Sequence, residues 1–227
     1  KMKKNTLIFI LFIFSIFDIK SQSLLPNKYG IKFGIEIANI NSIAEEYVKN
    51  VSVNPNIGFS GGFCIQIPFT HKWKLNTEIL YTQKSLSFNY DYKHDYLFNS
   101  RDMYKTTNDM ILSYASLNPI LSFPITTKFS LNFGPTIGFL INSDYNYNES
   151  PENTLLQDDG ELKEENLDIG VNFGFSYNVT ENLMIDLRNY IGLTEVGKIS
   201  TPIDILSDTH SYTFKNKSLN LSFVYLF

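Results

Sequence analysis

The chain has 227 residues, a formal net charge of −4, one cysteine, 19 phenylalanines and 14 tyrosines. That mildly acidic balance excludes an electrostatic nucleic-acid binder. The lone Cys64 excludes an internal disulfide and a cysteine-based zinc cluster, and the low mean hydropathy excludes a bundle of transmembrane helices.

The first segment, KMKKNTLIFILFIFSIFDIKSQS, sets Lys3 and Lys4 ahead of an apolar run, Leu7–Phe17, followed by small and polar residues near Ser21. This is the layout of a secretory signal peptide. The run is too short to cross a bilayer as a helix, and Asp18 and Lys20 interrupt it. Residues 1–21 are therefore predicted to be a signal peptide cleaved near Ser21–Gln22, and residues 22–227 a single mature domain. No cysteine follows the run, so a lipoprotein anchor is not expected.

Beyond this point the sequence alternates with period two. YGIKFGIEIANI places Ile31, Phe33, Ile35 and Ile37 on one face, with Lys32 and Glu36 on the other. IGFSGGFCIQI, WKLNTEILYT and SLNPILSF repeat the pattern through Phe59, Phe63, Ile79, Leu121 and Phe123, the second with Glu78 on its polar side. FSLNFGPTIGFLI sets Phe129, Leu131, Phe133 and Phe139 against Asn132, Gly134 and Gly138. LDIGVNFGFSY, LMIDLRNYIGLT and SLNLSFVYLF complete eight predicted strands, with Asp168, Asp186 and Arg188 on polar faces.

Links between these strands alternate in length. Asn41–Asn56, Gln83–Asp109, Asn142–Asn166 and Glu195–Lys217 are long; Pro68–Lys72, Pro124–Lys128 and Asn178–Asn182 are short. Short ends at one rim and long ends at the other predict an all-β fold, an eight-stranded antiparallel up-and-down transmembrane β-barrel. Nine glycines fall on the polar face, which suits the crowded interior of a narrow barrel, while the bulky apolar face suits lipid. Pro119 and Pro135 fall inside strands, where each removes a ladder donor, so an irregularity is expected there.

The barrel reading assigns roles. Lys32, Glu36, Glu78, Asp168, Asp186 and Arg188 are expected to form an interior charge network, with Arg188 bridging carboxylates of neighbouring strands. Phe69, Trp73, Phe123, Phe129 and Tyr177 cluster near the short turns, as an aromatic girdle would. The alternating tail carrying Phe223, Tyr225 and Phe227 resembles the signal read by the bacterial barrel-assembly machinery. Outer-membrane lipid is the expected surrounding.

NFGPTIGFLI, LDIGVNFGFSY and IDLRNYIGLTEV, with SLNPILSFPI, together resemble the small outer-membrane barrel family of Bacteroidota called PorT-like. The resemblance implies an eight-stranded barrel in the outer membrane. It also raises an alternative, a subunit of a secretion or gliding assembly.

No catalytic, metal or cofactor site is expected. His71 falls in a short turn, and His94 and His210 fall in long links beside Asp91, Asp95, Ser207, Asp208 and Ser211. Such neighbours suit a lipid-modifying barrel enzyme, but a catalytic triad is defined by geometry. The acidic run Asp158, Asp159, Glu161, Glu164, Glu165 does not match a calcium loop. SFNYDYKHDYLFNSRDMY in the longest link reads equally as a surface for a protein or glycan partner and as an extended hairpin. The functional expectation is a non-catalytic barrel with a structural or surface-interaction role through its outward loops.

Overall fold

Each alternating segment forms a strand, and several of the strands run well past the predicted segments. The computed structural model describes residues 28–42, 49–69, 73–93, 103–150, 161–204 and 207–227. Its strands are β1 (Lys28–Ser42), β2 (Lys49–Pro68), β3 (Lys74–Lys93), β4 (Met103–Pro124), β5 (Phe129–Ser150), β6 (Glu161–Glu164), β7 (Leu167–Asn178), β8 (Leu183–Gly192), β9 (Gly197–Asp204) and β10 (Ser207–Leu226).

All neighbours pair antiparallel, in the order β1-β2-β3-β4-β5-β7-β8-β10, and β10 pairs back onto β1 to close the ring. Closure runs without a register shift from Gly30↔Leu226 to Ser42↔Phe214. Lipid leaves no water to satisfy an open strand edge, so closure satisfies the backbone of both outer strands.

The two extra strands do not add to the count of eight. β10 pairs with β8 over Lys217–Tyr225 and with β9 over Ser207–Phe214, so β9 continues the line of β8. In the same way β6 pairs with β9 as β7 pairs with β8. Two wall strands are thus interrupted at one level, at Glu165–Asn166 and Leu193–Val196. Cross-links hold the break: Glu165 N–H donates to Val196 O, and the Thr194 hydroxyl accepts from Ile169 N–H.

All four long predicted links are corrected. In Asn41–Asn56, β1 runs on to Ser42 and β2 already begins at Lys49. Gln83–Asp109 is not a loop throughout: β3 and β4 stay paired out to Lys93↔Met103. β5 continues to Ser150, paired with Lys105. Glu195–Lys217 contains β9 and half of β10. Backbone pairing does not end where the apolar belt ends. Above it the lumen turns apolar, and along β3 the alternation reverses phase, with Leu86 buried on the lumen face and Ser85 and Ser87 on the other.

The prolines produce the expected irregularity in one place. The β4–β5 ladder runs to Leu117↔Ile137, resumes at Leu121↔Phe133, and lacks the three rungs between. Pro119 and Pro135 face each other on the middle rung. Their other sides stay in register, opposite Thr77 and Val171. Both missing donors fall on one rung, so the damage is confined there.

Orientation follows the alternation. Phe33, Phe133 and Phe173 are 61%, 58% and 46% exposed, whereas Glu78 and Arg188 are 2% and 3% exposed. The apolar side chains point out of the cylinder and the charges point in. Close backbone approach explains a lumen glycine: a Cβ on Gly174 would lie 2.0 Å from the carbonyl oxygen of Leu187 on β8.

Candidate functional site in the barrel lumen

The lumen-facing side chains form three layers. Near the short turns, Cys64, Met184, Val224 and Leu226 make an apolar floor. Above it lies a polar middle layer. Toward the long-loop end, Leu86, Met110, Leu112, Tyr114, Val196 and Phe214 form a buried apolar cap, with Leu140 and Tyr145 packed against it.

The middle layer has two ion-paired clusters. In the first, Lys32 on β1 reaches Asp186 at 2.7 Å and Glu78 at 3.2 Å. Arg188 on β8 grips Glu78 on β3 with two parallel bonds of 2.8 and 2.9 Å and contacts Asp186 at 2.6 Å. Two cations and two anions make this cluster neutral. The planar guanidinium matches the carboxylate geometry, so the bidentate pair is strong and directional. The expectation for Arg188 is corrected in one respect: its partners are not on neighbouring strands. Asp186 shares its own strand and face, and Glu78 stands on the opposite wall, so the pair braces the barrel across its width.

A hydrogen-bonded chain ties this cluster to the wall. Asn132 Nδ2 donates to Asp186 Oδ1 at 2.9 Å, Ser122 Oγ to Asn132 Oδ1 at 2.6 Å, Asn76 Nδ2 to Ser122 Oγ at 2.7 Å and Gln66 Nε2 to Asn76 Oδ1 at 3.0 Å. Four neighbouring strands and β8 are joined by side chains that each satisfy the next, as buried polar groups require.

Asp168 is not part of that cluster. It accepts from Lys84 at 2.8 Å, from Asn216 at 2.7 Å and from the Tyr190 hydroxyl. The Lys84 ammonium also lies 3.8 Å from the Tyr190 ring centroid, a cation–π contact. Glu36 is separate again. It accepts from the Ser218 hydroxyl and from Asn220 Nδ2, and it has no ion-pair partner among the described residues. Six residues singled out from the sequence therefore occupy three places. Lys84 and Tyr190 were missed as members. Lys84 fell in a stretch read as a link, although its even-numbered position continues the lumen face of Glu78, Leu80 and Thr82.

Between the clusters lies a cavity of about 40 Å³, lined by Lys32, Glu36, Glu78, Lys84, Asp168 and Arg188 among others. That holds roughly two or three waters. Among the described residues, no group of three or more His, Cys, Asp or Glu is placed to hold a metal ion. His71 and His94 lie outside the described residues. His210 is corrected from a loop to a strand position, opposite Thr201 on β9.

At the short-turn end, Phe69, Trp73 and Tyr177 are exposed and Phe123 and Phe129 are half-buried. Trp73 packs on Phe123 with ring centroids 4.9 Å apart, and Phe129 stacks on Phe175 at 5.4 Å. Phe223, Tyr225 and Phe227 all point outward, Tyr225 edge-on to Phe227 at 5.3 Å.

A closed antiparallel barrel with an apolar exterior and a charged interior defines a transmembrane β-barrel. A family model described as an outer membrane protein beta-barrel domain matches residues 21–197, and the chain belongs to that family; it is a protein of the outer membrane. No curated protein sequence matches it. Similar solved structures include Ail, the attachment invasion locus protein of Yersinia pestis (13% identity, 89% of this chain and 100% of that chain, TM-score 0.40). OprG of Pseudomonas aeruginosa is another (12% identity, 88% and 95%, TM-score 0.45), as is Neisserial surface protein A (13%, 88% and 97%, TM-score 0.42).

Proposed function

We propose that this protein is a non-catalytic, non-conducting outer-membrane barrel that acts through its outward rim. The filled lumen carries this reading. The polar layer is ion-paired across the barrel, an apolar cap lies above it, and the space between is a few waters in size. An eight-stranded wall leaves little more than room for its own side chains. A water-filled conduit would need a continuous polar path, and the cap of Leu86, Met110 and Phe214 interrupts one.

The rim supplies the surface. From Tyr81, a lipid-facing residue, β3 runs on to Lys93, about 40 Å further along the strand at ~3.3 Å per residue. β4 and β5 rise beside it. An aromatic-rich pair of strands of this kind suits contact with a protein or glycan. In outer-membrane barrels the long connections face outward.

Planar-bilayer recording of the full chain tests the sealed lumen. No current above the bare-bilayer baseline is expected in symmetric potassium chloride, and discrete, reproducible conductance steps would overturn the reading.

A further inference from the structure

The wall parts above the lipid belt. β5 pairs with β7 as far as Phe139↔Leu167, and Leu140 N–H still donates to Asn166 O at 2.9 Å. Past that point the two sides separate. β5 runs on to Ser150 paired with β4 alone, while β6 pairs with β9 alone. Among the described residues, no strand pairs with the far side of β5 over residues 142–150. Phe139 and Ile141 are the last exposed apolar residues along β5, so this edge stands above the hydrocarbon, where water can reach it.

An open edge is a row of N–H and C=O groups ready to pair with another chain, and proteins commonly blunt one with lysine or proline. Residues 142–150 contain neither. β2 parts from β1 in the same way above Ala38↔Asn56, but its edge carries Lys49 and Pro55, the latter with no N–H to give.

Charge selects the occupant. Residues 142–165 hold eight acidic side chains and one lysine. Asp144 is exposed on β5, in one outward row with Asn142 and Asn146; across the gap Glu165 is exposed and Glu164 half-buried. The alternate row turns inward, where Tyr145 packs against the apolar cap. A strand added here has one row of side chains in water beside Asp144 and the other over the cap. A second copy of the chain would set one acidic edge against another, and a glycan has no backbone to continue the ladder.

We infer that this edge takes up an extended segment of a partner protein as an added strand, a segment in which lysine or arginine alternates with apolar residues. Main-chain hydrogen bonds hold it, and its alternate side chains are selected by Asp144 on one face and the cap on the other. The inference rests on the reading of the outward rim as the acting surface, and it names the class of partner.

The full chain in phosphatidylcholine nanodiscs is to be titrated with a fluorescein-labelled peptide of alternating lysine and valine. Anisotropy measures binding, and hydrogen exchange with mass spectrometry locates it. In the free protein the amides of 142–150 turned away from β4 should exchange fast. Saturable binding that slows exchange within 142–150 is expected. The same peptide N-methylated at every backbone nitrogen keeps its charge but cannot donate, and should bind at least about tenfold more weakly. Glutamate in place of its lysines should abolish binding. Asp144→Asn should weaken it about threefold, and Lys128→Gln, in a short turn at the other rim, should leave it unchanged. Asp144 is exposed, and gel mobility of the unheated protein confirms that each variant is folded. Both rims of a nanodisc barrel are open to the peptide, so failure here counts against the edge, whereas the bilayer recording tests the sealed lumen by itself. Equal binding of the N-methylated peptide, equal binding by folded Asp144→Asn, slowed exchange elsewhere than 142–150, or slow exchange of all these amides before peptide is added would each overturn the inference.

Discussion

Replacing Arg188 by methionine is expected to destabilise the folded barrel by about 3–5 kcal/mol, the usual penalty for removing one partner of a buried ion pair. Arg188 is the group that neutralises Glu78 by two parallel bonds and also contacts Asp186. Without it, one ammonium, Lys32, is left to serve two carboxylates in a lumen with space for few waters. The stranded charge is the source of the penalty, more than the lost attraction. It follows that removing both partners is gentler than removing one. The double variant Glu78→Met, Arg188→Met keeps the Lys32–Asp186 pair and is balanced in charge. It should be more stable than Arg188→Met alone, with a coupling energy of about 0.5–3 kcal/mol. Urea unfolding from lipid vesicles measures both, and Trp73, the single tryptophan, is a built-in fluorescent reporter at the short-turn end. A double variant weaker than the single would show that the cluster does not act as a neutralised unit.

The second large effect concerns the outside. Phe33→Arg should cost about 2–4 kcal/mol, whereas the same change at Tyr29 should cost about 0–1 kcal/mol, because the penalty for an outward cation falls steeply from the bilayer centre to its edge. Phe33 lies midway along the outward row from Tyr29 to Ile37, opposite Phe223 on β10. Tyr29 sits at the short-turn rim, where its carbonyl accepts from Phe227 N–H. Both side chains are well exposed on the same strand. Both positions carry an outward aromatic residue and differ chiefly in depth, so equal penalties in the same vesicle unfolding assay would contradict a membrane belt centred near Phe33.

The fold was legible because half-burial imprints period two on the sequence. Lys32 against Phe33, Glu78 against Ile79 and Arg188 against Leu187 each report which way a strand faces. The upper ends were illegible for the same reason in reverse. From Ser85 to Lys93 the alternation continues with its phase reversed, Leu86, Phe88, Tyr90 and Tyr92 against Ser85, Ser87, Asn89 and Asp91, so it departs from the polar-inward, apolar-outward rule of the belt and reads as a link. Lys84 shows the cost of that: it looks like an exposed lysine at the start of a loop, yet it is buried against Asp168 and Tyr190. The partition of the charged residues into three groups was also beyond a sequence reading. Period two fixes the face of each residue but not its height around a tilted, staggered ring, and height decides that Arg188 meets Glu78 while Asp168 meets Lys84. The facing prolines were half legible. Their strand positions could be read, but their opposition on one rung depends on the register across the Ile125–Lys128 turn.

The central claim is that the even-numbered side chains of the wall near the C-terminus face a closed lumen and the odd-numbered ones face lipid. A nitroxide scan along residues 219–225 in phospholipid vesicles tests it most directly, through relaxation by oxygen and by a water-soluble nickel chelate. High oxygen accessibility is predicted at 219, 221, 223 and 225, and low accessibility to both reagents at 220, 222 and 224. The opposite phase, or nickel access as high at the odd positions as oxygen access, would contradict it.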